Sequence, residues 1–166
     1  MLLSVIGGLI LAFGFVVFVG APYLPTTKKQ IDVALDLLDL SPGKSVLELG
    51  AGDGRVALAA ARRGLNVVAV ELNPLLCLVI FIRTWRYRRQ VRVVCSNFWH
   101  MEWPEVEGVF VFLLDRYMER LNKKLIQKQN EWKKEVRLAS FAFKIPRRKC
   151  DDEKAGVFLY VYKNGE

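Results

Sequence analysis

Residues 45–54 read SVLELGAGDG and run on as RVALAAARRGLNVVAVELNP. Gly50, Gly52 and Gly54 stand two apart directly after an apolar stretch, with Glu48 and Asp53 among them. A glycine turn of this kind brings bare backbone against a ligand. Two ligands use such a turn, a nicotinamide or flavin dinucleotide and S-adenosylmethionine. The dinucleotide fingerprint needs its third glycine five positions after the first, where helix and strand pack closely. Arg55 occupies that position and Gly54 comes one place early. Pyrophosphate also favours helix amides in cationic surroundings. The acids Glu48 and Asp53 would repel it, yet they suit a ligand carrying a sulfonium and an amino group. Glu71 follows Gly50 at the distance where a carboxylate accepts ribose hydroxyls. The chemistry indicated is binding of S-adenosyl-L-methionine.

Methyl transfer is an in-line displacement, so the chain must align a neutral nucleophile and exclude water. If the acceptor is an amine, it must first lose a proton, and a carboxylate beside it can orient it. Asp115 stands after a fourth apolar run, GVFVFLL, at the expected ligand edge. Two roles are open to it: orienting the acceptor, or capping the helix that follows. Exocyclic-amine and glutamine methyltransferases carry Asn/Asp-Pro-Pro-aromatic here, whereas residues 113–116 read LLDR, which counts against a nucleic-acid base as substrate. Cys77, Cys95 and Cys150 share no metal spacing, and the lone His100 stands far from Cys150. No metal site is expected, and cysteines within apolar runs read as reduced core thiols.

The elements that must position these groups follow from periodicity. Helical spacing is expected over 30–40, 55–63, 75–88 and 115–134. Buried strands are expected over 45–49, 67–72, 91–95, 108–114, 136–143 and 157–162. Strands alternating with helices predict an α/β fold, a doubly wound, mostly parallel Rossmann-like sheet. The polar link before the last strand predicts an antiparallel closing pair.

Ahead of this domain, no residue from Met1 to Thr27 is charged and Leu2–Val19 is almost wholly apolar. That length suffices to span a bilayer as a helix. The alternatives are a buried or interfacial helix, or a signal peptide, which would want a basic start. The favoured reading is a hydrophobic N-terminal helix over 1–24 anchoring a domain over 25–166. Net charge is +8, and Lys28 and Lys29 follow the apolar run. The positive-inside bias then places the domain on the cytoplasmic side, or on the matrix side in an organelle. Arg83–Arg92 (RTWRYRRQVR) follows the helix segment LLCLVIFI, apolar on every face. An aromatic and arginine band of this kind suits a membrane interface, with a solvated helix end or an RNA surface as alternatives.

ELGAGDG (48–54) with VELNP (70–74) resembles motif I and the following strand of class I S-adenosylmethionine-dependent methyltransferases. The resemblance implies that Glu48, Gly50 and Gly52 line the methionine moiety, with Asp53 beside them. It implies that Glu71 holds the ribose and Leu72 flanks the adenine. Asn97, in CSNF (95–98), takes the place of an acid that often meets the adenine amino group. An apolar N-terminus followed by PYLPTT (22–27) and KKQI (28–31), then the two motifs, is similar to a small membrane-anchored lysine methyltransferase family. Its members include those acting on the ATP synthase c-ring polypeptide and the adenine nucleotide translocase. The resemblance implies a lysine of a membrane-associated protein as acceptor, with Tyr23, Thr26 and Thr27 lining its channel. A rigid turn after the anchor is the alternative for these three. Other outcomes are a lipid or small-molecule methyltransferase, a non-catalytic S-adenosylmethionine-binding scaffold, or an RNA methyltransferase.

Overall fold

The computed structural model describes residues 26–163; the N-terminal apolar run and Tyr23 lie outside the described residues. The elements are α1 (Lys28–Leu38), β1 (Ser45–Leu49), α2 (Arg55–Arg62), β2 (Asn66–Glu71) and α3 (Pro74–Arg83). They continue as β3 (Val91–Cys95), β4 (Gly108–Val111), α4 (Asp115–Trp132), β5 (Val136–Phe141), β6 (Asp152–Lys154) and β7 (Val157–Tyr162). The sheet order is β3-β2-β1-β4-β5-β7-β6. β1 lies between β2 and β4, parallel to both, with Leu49 level with Val70 and Val111. The chain therefore winds outward through β2 and β3, then returns to β4 on the other side of β1. That reversal opens a crevice at the carboxyl ends of β1 and β4, where ligands of open α/β sheets bind.

Alternation along β1 divides the core in two. Val46 faces a cluster closed by Ile31, Leu35, Val56, Ala57, Ala60 and Ile80, from α1, α2 and α3. Leu47 and Leu49 face the other cluster, with Met118, Leu121 and Leu125 of α4 and Trp103. No α-helix joins β3 to β4 among the described residues. The loop there is filled instead by Trp103, 2% exposed, whose indole N–H donates to the Phe98 carbonyl. Lys124 reaches across from α4 and donates to the carbonyls of Phe98 and Trp99, fixing this loop to the helix.

Several expected boundaries move, each for a local reason. The helix expected to run to residue 88 ends at Arg83 and passes into a short 3₁₀ turn, Trp85–Tyr87. Thr84 is buried and turns its hydroxyl back on the Ile80 carbonyl, a bond that competes with the helical ladder. β4 stops at Val111, because Phe112–Leu114 leave the sheet to enter α4. β5 stops at Phe141, where Ala142 takes a φ of 69° and donates its N–H to Gly156. The closing pair is antiparallel, as the polar link implied. β6 is an exposed edge strand that the link did not announce. Its hairpin turn is Ala155–Gly156, both with positive φ, the geometry that matches strand twist. Of the expected core thiols, Cys77 is buried but Cys95 is exposed, because it ends β3 at the open edge.

Candidate cofactor and acceptor site

The turn after β1 is held by the neighbouring strand. The N–H groups of Gly50 and Ala51 both donate to the Val70 carbonyl at 2.9 Å. Gly50, Gly52 and Gly54 all adopt positive φ, which ordinary side chains rarely tolerate. A Cβ on Gly50 would meet nothing within 4 Å, so open space stands over its backbone. Gly54 has the opposite surroundings, since a Cβ there would lie 2.9 Å from Ile80 of α3. It performs the close-packing job of a third glycine from one place early.

Glu71 ends β2, 8% exposed, and its carboxylate is fixed from three directions. One oxygen accepts from Gly52 N–H at 2.9 Å, and the other accepts from Leu72 and Asn73 N–H. This ties the glycine turn to the end of β2 and leaves an oriented carboxylate beside Leu72, which is 40% exposed. Glu48 lies under α2, 2% exposed, and its Oε2 has no hydrogen-bond partner among the described residues. Burial pushes its carboxyl well above the usual carboxylate range; the Ala57 N–H opposes this, while Asp53 and Glu71 add to it. A buried carboxylate short of one partner calls for a cation or donor. The ligand of a methyl-donor site supplies both, so these residues fit S-adenosylmethionine.

Asp53 does not offer a free carboxylate to that ligand. It accepts from Arg55 at 2.9 and 2.8 Å and from Arg83 at 2.8 Å. Burial would raise its pKa, but the two guanidiniums outweigh this and hold it below the ordinary value. Arg55 also donates to the Thr26 carbonyl at 3.2 Å. Sequence reasoning missed Arg83 as a partner, because it stands 30 residues from Asp53 and looked like part of a basic patch.

Asn97 is half-buried beyond β3, and its side-chain oxygen accepts from Trp99 N–H at 2.9 Å, shaping the turn there. Asp115 is the first residue of α4, exposed, and Leu114 holds the capping position without a side-chain cap. The capping role is therefore not what Asp115 performs, though its charge faces the positive end of the helix. Thr26 is buried and holds Arg55 through its carbonyl; Thr27 precedes α1, exposed, with no side-chain cap. Phe112 and Phe141, at the carboxyl ends of β4 and β5, meet edge-to-face with ring centroids 4.7 Å apart. Phe143 stacks near Phe112 at 6.4 Å. Sequence reasoning absorbed these rings into strands; the signal was aromatic residues just where those strands had to stop.

Glu48, the glycine turn, Glu71 and Asn97 thus occupy the β1–β3 side of the crevice, and Asp115 with the phenylalanines occupies the β4–β5 side. This fold and site define a class, the S-adenosylmethionine-dependent methyltransferases. Within it, the family described as the ANTKMT methyltransferase domain matches residues 48–152. The chain belongs to that family. It is 32% identical over 127 residues to the lysine N-methyltransferase of Homo sapiens that is named for the ATP synthase c-ring polypeptide, covering 75% of this chain and 53% of that protein. It is 31% identical over 156 residues to a protein-lysine N-methyltransferase of Saccharolobus islandicus, covering 87% of this chain and 94% of that one. The chain thus spans about half the length of its human relative. An RNA methyltransferase from Salinibacter ruber, solved with S-adenosyl-L-homocysteine, shares the fold with a TM-score of 0.75. It is 24% identical, over 84% of this chain and 92% of that one.

Proposed function

We propose that this chain transfers a methyl group from S-adenosylmethionine to a lysine of a membrane-associated protein. The observation that carries the donor half is the partner-short buried Glu48 beneath a glycine turn pinned to Glu71. The acceptor class is supported by family membership and by relatives named as lysine methyltransferases. When bound, the cofactor supplies an electrophilic methyl on a sulfonium. The chain's own work is to hold and orient. Glu71 and the Gly50–Gly52 turn fix the donor, and Glu48 balances its positive charge. Phe112 and Phe141 form a dry wall along which an acceptor's aliphatic stem can lie, excluding water. Asp115 orients the acceptor amine at the crevice after its proton is lost to solvent.

Membrane attachment is part of the same reading. The run Leu2–Val19 has the length and composition of a single spanning helix, with the domain after residue 24 on the cytoplasmic or matrix side. Among the described residues no helix is long and apolar enough to cross a membrane, so this role falls to that run. A domain joined to an anchor by so short a linker reaches only acceptors near the bilayer surface.

The deciding experiment is mass spectrometry of methylated lysines in membranes with and without the protein. It is backed by transfer of tritiated methyl into a membrane fraction followed by protease, lipid extraction or nuclease. Label released by protease, on a lysine absent without the protein, is expected. Label in the lipid or RNA fraction would replace the acceptor, and label in none would leave a cofactor-binding scaffold.

A further inference from the structure

Helix α3 carries an apolar surface that nothing among the described residues covers. Of its ten residues only Cys77 and Ile80 are buried. Leu75, Leu78, Val79, Phe81 and Ile82 are 39 to 65% exposed, and Trp85 just beyond is 51% exposed. At about 100° per residue these positions span an arc of roughly 160°. One packed helix covers a stripe of about 100°. A face this wide is matched by an apolar medium better than by a single neighbouring segment.

Charge identifies the medium. From Leu72 to Met101 there is no acidic residue, and five arginines stand at 83, 86, 88, 89 and 92. Arg83 pairs with Asp53, while Arg86, Arg88, Arg89 and Arg92 make no ion pair among the described residues. Arg88 instead lies over Trp85, 5.2 Å from the ring centre, and Trp85 packs edge-on against Phe81 at 5.0 Å. An apolar helix face that ends in a tryptophan and unpaired guanidiniums has the order of a bilayer, hydrocarbon first and anionic headgroups next.

We propose that α3 is a second membrane contact, lying in the interface of an anionic bilayer with Leu78, Val79, Phe81, Ile82 and Trp85 immersed and Arg86, Arg88 and Arg89 on headgroup phosphates. The consequence for the acceptor rests on the methyltransferase reading above; the contact itself does not. α3 begins three residues after Glu71, so its apolar face starts at the cofactor edge. Docking holds that edge at headgroup level, which selects lysines at a membrane boundary.

The test uses the full chain reconstituted into vesicles of phosphatidylcholine with phosphatidylglycerol and a trace of lipid bearing a photoreactive acyl chain. Lipid adducts are mapped by mass spectrometry, and the tryptic peptide ending at Arg83 carries the α3 face. Adducts are expected on 78–82, together with adducts in the 2–19 run, which reports reconstitution. Leu78→Glu with Ile82→Glu lowers the α3 adducts roughly tenfold or more. The same variant keeps S-adenosylhomocysteine affinity by calorimetry, which shows that the fold and the donor site survive. Replacing phosphatidylglycerol by phosphatidylcholine lowers the adducts as well. Adducts in 2–19 but none in α3 overturn the proposal and make the chain's own N-terminus or a second copy the cover. Equal α3 labelling in the double glutamate variant overturns it too. Failure of the unmodified chain to bind S-adenosylhomocysteine would instead strike the methyltransferase reading alone.

Discussion

Glu48 has a cost and a use that oppose each other. Its carboxyl is buried and its pKa is raised, so in the free protein the charged form is disfavoured and destabilises the fold as pH rises above the ordinary carboxylate value of 4.5. A bound sulfonium and amino group favour that charged form. Glu48→Gln is therefore expected to raise the melting temperature of the ligand-free protein at neutral pH while weakening S-adenosylmethionine binding. Wild-type affinity should fall as pH drops through the raised pKa, with protons released on binding, read by calorimetry in buffers of different ionisation enthalpy. A Gln variant that binds as tightly would detach Glu48 from the donor. Glu71→Ala removes two charge-assisted bonds to ribose and one to Gly52, so S-adenosylhomocysteine affinity should fall roughly 100-fold or more. Asp115→Ala should leave that affinity intact and lower turnover roughly tenfold or more; unchanged turnover removes it from the mechanism. Glu48, Gly50, Gly52 and Glu71 were legible because their chemistry and spacing are local. The role of Asp53 was not, since its decisive partner Arg83 arrives from another helix.

At the scale of elements, the turn works only because α2 and α3 can approach each other. Gly54 provides this by two properties, a φ of 75° and the missing Cβ that Ile80 would otherwise strike. Gly54→Ala is expected to cost about 2 kcal/mol, a drop of roughly 4–8 °C in melting temperature for a chain of this size. Ile80→Ala in the same chain should recover only the steric part, because the backbone strain stays. Full recovery in the double variant would mean that the positive φ costs nothing here. Strand positions were legible wherever an apolar run is interrupted by polar residues, as at 91–95 and 157–162. Ends were misplaced where tertiary contacts decide them. Thr84 stops α3 through its own hydroxyl, and Ala142 leaves β5 through a bond to Gly156, fourteen residues away in sequence. β6 escaped notice because an exposed edge strand needs no apolar pattern.

For the whole molecule, Asp53 joins three parts that the chain order keeps apart. Arg55 begins α2, Arg83 ends α3, and the Thr26 carbonyl marks where the described domain meets the preceding apolar run. If that run anchors the chain and α3 lies on the bilayer, this network sets the angle between the two contacts and hence the height of the donor site. Its strength has a pH signature. The folded pKa of Asp53 is below its ordinary 3.8, so the stability it contributes is fully present above that value and is lost as pH falls through the lower folded pKa. Asp53→Asn, which leaves two guanidiniums facing a neutral amide, should lower stability at neutral pH by about 2 kcal/mol. The gap between wild type and variant should stay constant down to about pH 3.8 and then close in stronger acid, as read from urea midpoints across that range. In vesicles the same variant should transfer methyl more slowly to a membrane-bound acceptor than to a soluble lysine peptide. Equal slowing on both would confine Asp53 to the fold and leave the height of the site to other contacts.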